Sequence, residues 1–199
     1  MWALVTDNTI TKIINNPKAM VIGDTQYSRN IFSFRWSNEE REAIGLYEIV
    51  FNNTNKKDEA YYINTNQSFA FADGVVTASF GSATAKAHAD ANATDADGVE
   101  LDPVVVIPGL KTNLIKDLKI TVANELAKTD WYITRNTEKS VAIPSSISTH
   151  RDLVRTRQAT METQITNASN TPALETLYTY TTTDGVQSRP LGELPTLEI

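Results

Sequence analysis

The chain has no cysteine, only two histidines and only eight glycines among its 199 residues. Without cysteine, a disulfide scaffold, a thiolate zinc site and thiol chemistry are all excluded. His88 and His150 lie at no known nucleophile spacing from a serine or a carboxylate, and so few glycines leave no room for a dinucleotide fingerprint or a phosphate-binding loop. We therefore predict no catalytic residue, no cofactor and no metal ligand.

Long apolar runs and an excess of positive charge are also missing. No segment approaches the length that a bilayer span needs, and Met1-Trp2-Ala3-Leu4 lacks the basic flank of a secretion signal. Lysine and arginine number 18 against 24 acidic residues, for a net charge of −6. Because nucleic-acid binding requires a basic footprint, we expect neither nucleic acid nor a membrane as a partner.

Threonine and asparagine are abundant instead, with 26 and 16 copies. Threonine suits pleated, half-buried surfaces and asparagine suits turns, so the composition favours strands and loops. Within residues 1–81, Asp73-Gly74 marks the clearest hairpin turn, and Ser37 with Glu40 forms a capping box for a short helix. These signals predict a small, mainly antiparallel β-rich N-terminal domain.

Residues 82–103 change character, since alanine, aspartate, threonine and asparagine dominate, and Val104–Ile107 then predicts a short apolar strand; together they form a segment over residues 82–109. Such a segment cannot bury enough apolar surface to fold alone, which indicates a linker or an exposed arm. An irregular calcium site is an alternative, although an EF-hand would place Ala93 and Val104 at ligand positions. The acidic residues of this segment are Asp90, Asp95, Asp97, Glu100 and Asp102.

Helical periodicity appears in residues 110–168. Leucine and valine recur every four residues in a helix predicted over Lys111–Lys128, and a second helix begins near Pro144. Joined by residues 129–143, they would form an antiparallel helical hairpin. The sequence of residues 169–199 indicates a short helix followed by an extended C-terminal arm. We expect this arm to lie on another molecule. The whole chain is therefore predicted to be an α+β protein.

The most informative motif crosses the predicted hairpin. Its residues are Leu126, Thr129-Asp130-Trp131, Arg135, Glu138, Ile143-Pro144, Arg151, Val154 and Arg155. This segment resembles the phage tail assembly chaperone and tail-fibre assembly proteins, which carry Thr-Asp-Trp after one helix and Tyr-Arg-x-x-Leu-Arg on the next. Here those last positions are His150-Arg151 and Val154-Arg155, and Ile147 and Ser148 stand where the family often has tryptophan. Residues 36–51 more loosely resemble uncharacterised virion proteins of marine phages.

The motif also has a physical explanation that requires no chemistry. Asp130 can cap or pair, Trp131 can close the hairpin, and Arg151 and Arg155 lie four apart on one helix face. An arginine stacked on Trp131 or paired with Asp130 would lock the helices together. These four residues are the candidates for locking the hairpin or for contacting a partner.

The resemblance implies a phage tail protein. Its Thr129-Asp130-Trp131 segment is the main support for an assembly chaperone, whereas the threonine- and asparagine-rich β half, the absence of cysteine and the extended proline-containing end favour a non-enzymatic bacteriophage tail structural protein, that is, a tail, fibre or adaptor subunit. We expect it to be made in the host cytoplasm and retained in the virion tail, with other phage tail proteins and copies of itself as partners. The alternative is a tail-fibre or tail assembly chaperone that is not retained in the mature virion.

A polysaccharide-acting enzyme or sugar binder is a third hypothesis. Glycoside hydrolysis needs two carboxylates across a cleft, whereas Glu39, Glu40 and Glu42 cluster on one short helix. Aromatic side chains could form a sugar platform, but in so small a domain we expect them in the core. They are Trp2, Trp36, Tyr47, Tyr61, Tyr62, Phe69 and Phe71.

Overall fold

Helices and strands are combined in the structure, a computed structural model that describes residues 1–197. The predicted α+β class is confirmed. The chain divides into two units, the first being Met1–Thr84 and the second beginning at Ala85. Among the described residues, no helix combines the length and apolar character that crossing a membrane requires.

The first unit is built on a five-stranded sheet with the strand order β2-β1-β5-β8-β7. All neighbouring strands are antiparallel except β5 and β8, which are parallel. A separate hairpin, β3-β4, precedes a 3-10 helix at Arg29–Phe32 and the short helix α1 at Asn38–Glu42. The strands are β1 Trp2–Thr6, β2 Thr9–Ile14, β3 Met20–Ile22, β4 Thr25–Tyr27, β5 Leu46–Asn52, β6 Tyr62–Ile63, β7 Gln67–Ala72 and β8 Val75–Phe80, with β9 Thr84–Ala85 at the boundary.

Alternation along the strands builds the core of this unit. Since successive strand residues point to opposite faces, every second side chain of β1 and β8 is buried. The aromatic residues Trp2, Trp36, Tyr47, Phe69 and Phe71 pack against the two buried clusters, as the core interpretation predicted. The buried residues of these clusters are Ala3, Val5, Ile49, Val76 and Ala78 in one, and Ile14, Ile31 and Leu46 in the other.

Helix α1 is fastened to the rest of the unit by a buried arginine. The predicted capping box is present, because Ser37 accepts from the Glu40 N–H and Glu40 accepts from the Ser37 N–H. Arg41 is buried, its Nε donates to the Ile31 carbonyl at 2.8 Å, and its guanidinium lies 4.9 Å from the Trp2 ring centroid. The capping box sets the residue at which α1 begins. The contacts of Arg41 with Ile31 and Trp2 fix the position of α1 against the rest of the unit.

The second unit pairs two long antiparallel helices, with the start of α2 beside the end of α4. Leu118 and Val122 of α2 are buried, as are Val154 and Met161 of α4. The elements are β10 Ala91–Asn92, β11 Val106–Ile107, α2 Leu110–Ala127, α3 Asp130–Lys139, α4 Ser145–Asn167, α5 Thr171–Tyr178, β12 Thr181–Thr183 and β13 Val186–Ser188. The two predicted long helices are therefore present, each within a residue or two of the expected ends.

The connection between these helices corrects the prediction. Residues 129–143 were expected only to join the two helices, but they contain a further helix, α3. Asp130 lies in its first turn, where a negative charge is favourable. Ser140 ends it in the left-handed conformation (φ 53°), and the Ser140 N–H bonds to the Asn136 carbonyl at 2.8 Å.

The C-terminal arm gives a second correction. It was expected to lie on another molecule, yet Leu191 is only 1% exposed and its N–H donates to the Leu177 carbonyl at 2.9 Å. Arg157 of α4 donates from Nε to the Glu193 carbonyl at 3.2 Å. Gly192 has φ +70°, and a side chain there would collide with the Arg157 guanidinium. Up to residue 197 the arm therefore packs on α4 and α5 of its own chain, a result that only the tertiary structure reveals, and residues 198–199 of the predicted arm lie outside the described residues.

We expect Leu191→Ala to lower the free energy of unfolding by about 2–5 kcal/mol, because it opens a cavity in this core. The matched control is Leu153→Ala, since Leu153 is 52% exposed on α4 and should change stability by about 0.5 kcal/mol at most. Urea unfolding followed by far-ultraviolet circular dichroism measures both variants. Equal stability of the two would show that the arm does not contribute to the fold.

Candidate functional site

Arg151 lies where three helices meet. Helix α2 ends at Ala127 and α3 begins at Asp130, so the two helix ends are almost adjacent in the chain. Arg151 projects from α4 and is 8% exposed. Its Nη1 donates to the Leu126 carbonyl at 2.8 Å, the Thr129 hydroxyl at 2.7 Å and Asp130 Oδ1 at 2.8 Å. One guanidinium thus joins α4 to the end of α2 and the start of α3.

The electrostatics of this junction are favourable at both helix ends. The cation of Arg151 lies at the carbonyl end of α2, which carries partial negative charge, and Asp130 lies at the amino end of α3, which carries partial positive charge. Hydrogen bonds with an ionised partner are roughly twice as strong as neutral ones. The pairing of Arg151 with Asp130 therefore joins the helices of the hairpin.

Trp131 does not close the hairpin, which corrects that expectation. Its side chain is 51% exposed, and its ring centroid lies 3.8 Å from that of Tyr132. The nearby cation is Arg135, whose Cζ lies 5.9 Å from the Trp131 ring, rather than Arg151. Because α3 continues as a helix, it directs Asp130 towards Arg151 and turns the next residue away from the junction. Trp131 is consequently an aromatic residue on the surface.

Arg155 also lies outside the junction. Its side chain is half exposed, and its Nη1 lies 3.3 Å from Asp152 Oδ1 on the same helix. Arg151 lies one turn nearer the start of α4, where α2 ends, and it contacts the acceptors there. Of the four candidate residues, the structure brings together Asp130 and Arg151 and places Trp131 and Arg155 on the surface.

A buried histidine beside the junction was missed by the sequence analysis. His150 is only 6% exposed, and its Nε2 lies 3.4 Å from Glu125 Oε1. The pKa of the Glu125 carboxyl lies below its usual value, first because Lys128 donates a hydrogen bond to it and further because Lys128 and His150 lie close. The spacing of these residues in the chain carries no signal for this contact, because they lie on different helices.

Residues 89–108 form what we call the acidic hairpin. Its paired residues are Ala91 with Ile107 and Asn92 with Val106, and a further bridge joins Thr94 to Glu100. At its tip, Asp95 Oδ1 accepts the N–H groups of Asp97 and Val99, both at 2.9 Å. Within the described residues, no group of three or more histidine, aspartate or glutamate side chains is arranged to hold a metal ion.

The acidic hairpin exposes most of its apolar side chains. Between residues 89 and 108, Ala93 alone is half-buried and every other residue is exposed. Contiguous exposed apolar patches mark interaction sites in soluble proteins. The large apolar residues of this patch are 37% to 62% exposed, and they are Val99, Leu101, Val104, Val105, Val106 and Ile107.

The base of the acidic hairpin is anchored to the start of α2. Asp90 Oδ1 accepts the Gly109 N–H at 2.8 Å and the Thr112 hydroxyl at 2.7 Å. These two bonds hold the pKa of the Asp90 carboxyl below its usual 3.8, and the bond from Gly109 contributes more than the bond from Thr112. The Leu110 N–H also donates to the Ala87 carbonyl at 2.9 Å. The apolar patch is thus tied at its base to a helix.

No protein-family model, curated protein or solved structure matches this chain. The function proposed below therefore depends on the contacts and exposed surfaces described above, together with the sequence resemblance.

We expect Arg151→Ala to lower the free energy of unfolding by about 2–3 kcal/mol, because it removes charge-assisted hydrogen bonds at a buried position. The matched control is Arg155→Ala on the same helix, which should cost about 0.5 kcal/mol or less because that ion pair is exposed. Urea unfolding curves of the two variants give the comparison. If Arg155→Ala lowered the free energy of unfolding as much as Arg151→Ala, the role assigned to Arg151 in joining the helices would be contradicted.

The Asp90 anchor should depend on pH. Since its folded pKa is lowered, the bond is fully present above the usual 3.8 and is lost as the pH falls through the lowered value. The Gly109 amide proton should therefore titrate below pH 3.8 when followed by NMR, and Asp90→Asn should abolish that titration. A Gly109 resonance that is independent of pH in the native chain would show that the anchor does not form.

Proposed function

We propose that this chain is a non-enzymatic bacteriophage tail structural protein, a tail, fibre or adaptor subunit that acts through assembly contacts. The observation that carries the proposal is the acidic hairpin, whose large apolar side chains are exposed along most of its length. The proposed partners are other phage tail proteins and copies of this chain.

The acidic hairpin offers two sources of binding energy. Complete burial of one valine or leucine side chain is worth about 1.5–3 kcal/mol, so several such residues can offset the entropy lost on association. In addition, β10 and β11 form a two-stranded sheet, and among residues 1–197 no further strand pairs with the outer edge of either. Such an edge can pair with a strand of a neighbour, where main-chain bonds supply affinity and side chains supply selectivity.

The resemblance of the Thr129-Asp130-Trp131 segment to tail assembly proteins supports placing these contacts in a phage tail. In this chain the segment lies where α2 and α4 are joined through Asp130 and Arg151. A fixed helical pair with an attached apolar hairpin suits a subunit that must present one surface in a defined orientation.

Quantitative mass spectrometry of purified, salt-washed phage particles tests the proposal. We expect a fixed copy number per particle, because a structural subunit occupies a defined set of positions. Replacing the exposed Val104 and Val106 by threonine, which removes apolar surface at similar size, should lower that number. Val21→Thr is the control, since Val21 is 56% exposed in the first unit. Absence of the native protein from particles would overturn the proposal.

A tail assembly chaperone is the second candidate, and the exposure of Trp131 favours it. Trp131, Tyr132 and Arg135 form an aromatic and cationic surface on α3 that a transient partner could contact. The same measurement separates the two candidates. Absence from particles together with abundance in infected cells would indicate the chaperone.

A further inference from the structure

We infer that the acidic hairpin of one copy docks on the outer face of α2 in a second copy, so that the chain assembles head to tail. This inference deepens the proposed function and rests on it, because it names the surfaces through which copies of the subunit meet. It follows from two exposed surfaces of the second unit that complement each other in apolar character and in charge.

The receiving surface, called the groove here, is a shallow and open face along one side of α2. Ile120 at its centre is 52% exposed, whereas Leu118 and Val122 point away from the groove and are buried. Helix α2 is therefore apolar on two sides, and only one of them is covered. The residues that line the groove are Thr112, Ile115, Lys116, Lys119, Ile120 and Ala123.

The charges of the two surfaces are opposite. Among its lining residues the groove carries Lys116 and Lys119 and no carboxylate. Lys119 is 58% exposed and forms a long ion pair of 3.9 Å with Glu162, and Lys116 is also exposed. The acidic hairpin carries five carboxylates and no lysine or arginine. Apolar contact would supply affinity, while the charges would set the register and speed the encounter.

Charge also decides how two copies meet. A contact between two acidic hairpins would bring like charges together, as would a contact between two grooves. Within one chain the bonds from Asp90 to Gly109 and Thr112 hold the base of the hairpin at the start of α2, and both surfaces remain exposed. Each copy therefore offers one hairpin and one groove, and such a heterologous contact closes into a ring or extends as a filament.

Two full-length variants test the inference. The hairpin variant, with Val104, Val105, Val106 and Ile107 replaced by threonine, keeps β propensity and removes apolar surface. The groove variant is Lys116→Glu/Lys119→Glu. Sedimentation should show that the native chain self-associates, and that each variant alone associates at least about tenfold more weakly. Circular dichroism checks that both variants fold.

The mixture of the two variants gives the sharpest result. The groove variant keeps an intact hairpin and the hairpin variant keeps an intact groove, so an equimolar mixture should form a dimer and nothing larger. A symmetric contact between two hairpins would not be restored by mixing. The control is Lys12→Glu/Lys18→Glu, which makes the same charge change at exposed lysines of the first unit and should associate like the native chain. Association of the native chain should also weaken with salt.

Three results would overturn the inference: a native chain that stays monomeric, variants that associate as strongly as the native chain, or a mixture that remains monomeric. Its failure is separable from that of the proposed function. A fixed copy number in particles with a monomeric pure protein would overturn the inference and leave the function standing. Dimers in the mixture of variants, together with absence of the native protein from particles, would overturn the proposed function and leave the inference standing.

Discussion

A single buried cation, the guanidinium of Arg151, determines how the second unit is put together. Removing a charge from water is costly unless acceptors replace the lost hydration, and Leu126, Thr129 and Asp130 provide those acceptors. Since they lie at the end of α2 and the start of α3, satisfying the charge also sets where α4 lies against both helices. Helix α2 in turn anchors the acidic hairpin at Asp90, so the exposed surfaces depend on this contact.

In the proposed assembly, stability and interaction come from different parts of the molecule. Its buried apolar residues lie outside the acidic hairpin, which buries almost nothing and depends on its base for support. Exposed valine and isoleucine side chains gain free energy only when a partner covers them. In that proposal the acidic residues of the same hairpin oppose indiscriminate association, because like charges repel when two hairpins approach. Apolar affinity combined with charge selectivity is what an assembly subunit requires.

Much of the local structure could be predicted from sequence. The Asp73-Gly74 turn, the capping box of Ser37 and Glu40, and the two long helices depend on residues close in the chain, and all are present. The five-stranded sheet is mainly antiparallel, as predicted. The sequence did not indicate that β5 and β8 pair in parallel, because strand neighbours are chosen by packing across the sheet rather than by turn residues. Helix α3 was missed because it is short and polar, and none of its residues is buried.

The sequence by itself determined the class of the fold, the places where its main elements begin and end, and the acidic, weakly packing character of residues 82–109. Only the tertiary structure decided that Arg151 rather than Arg155 meets Asp130, that Trp131 faces outward, and that Leu191 is buried. The physical reason is the range of the interactions. Turns, caps and helical periods depend on neighbours within a few residues, whereas burial and ion pairing depend on helices that are distant in the chain.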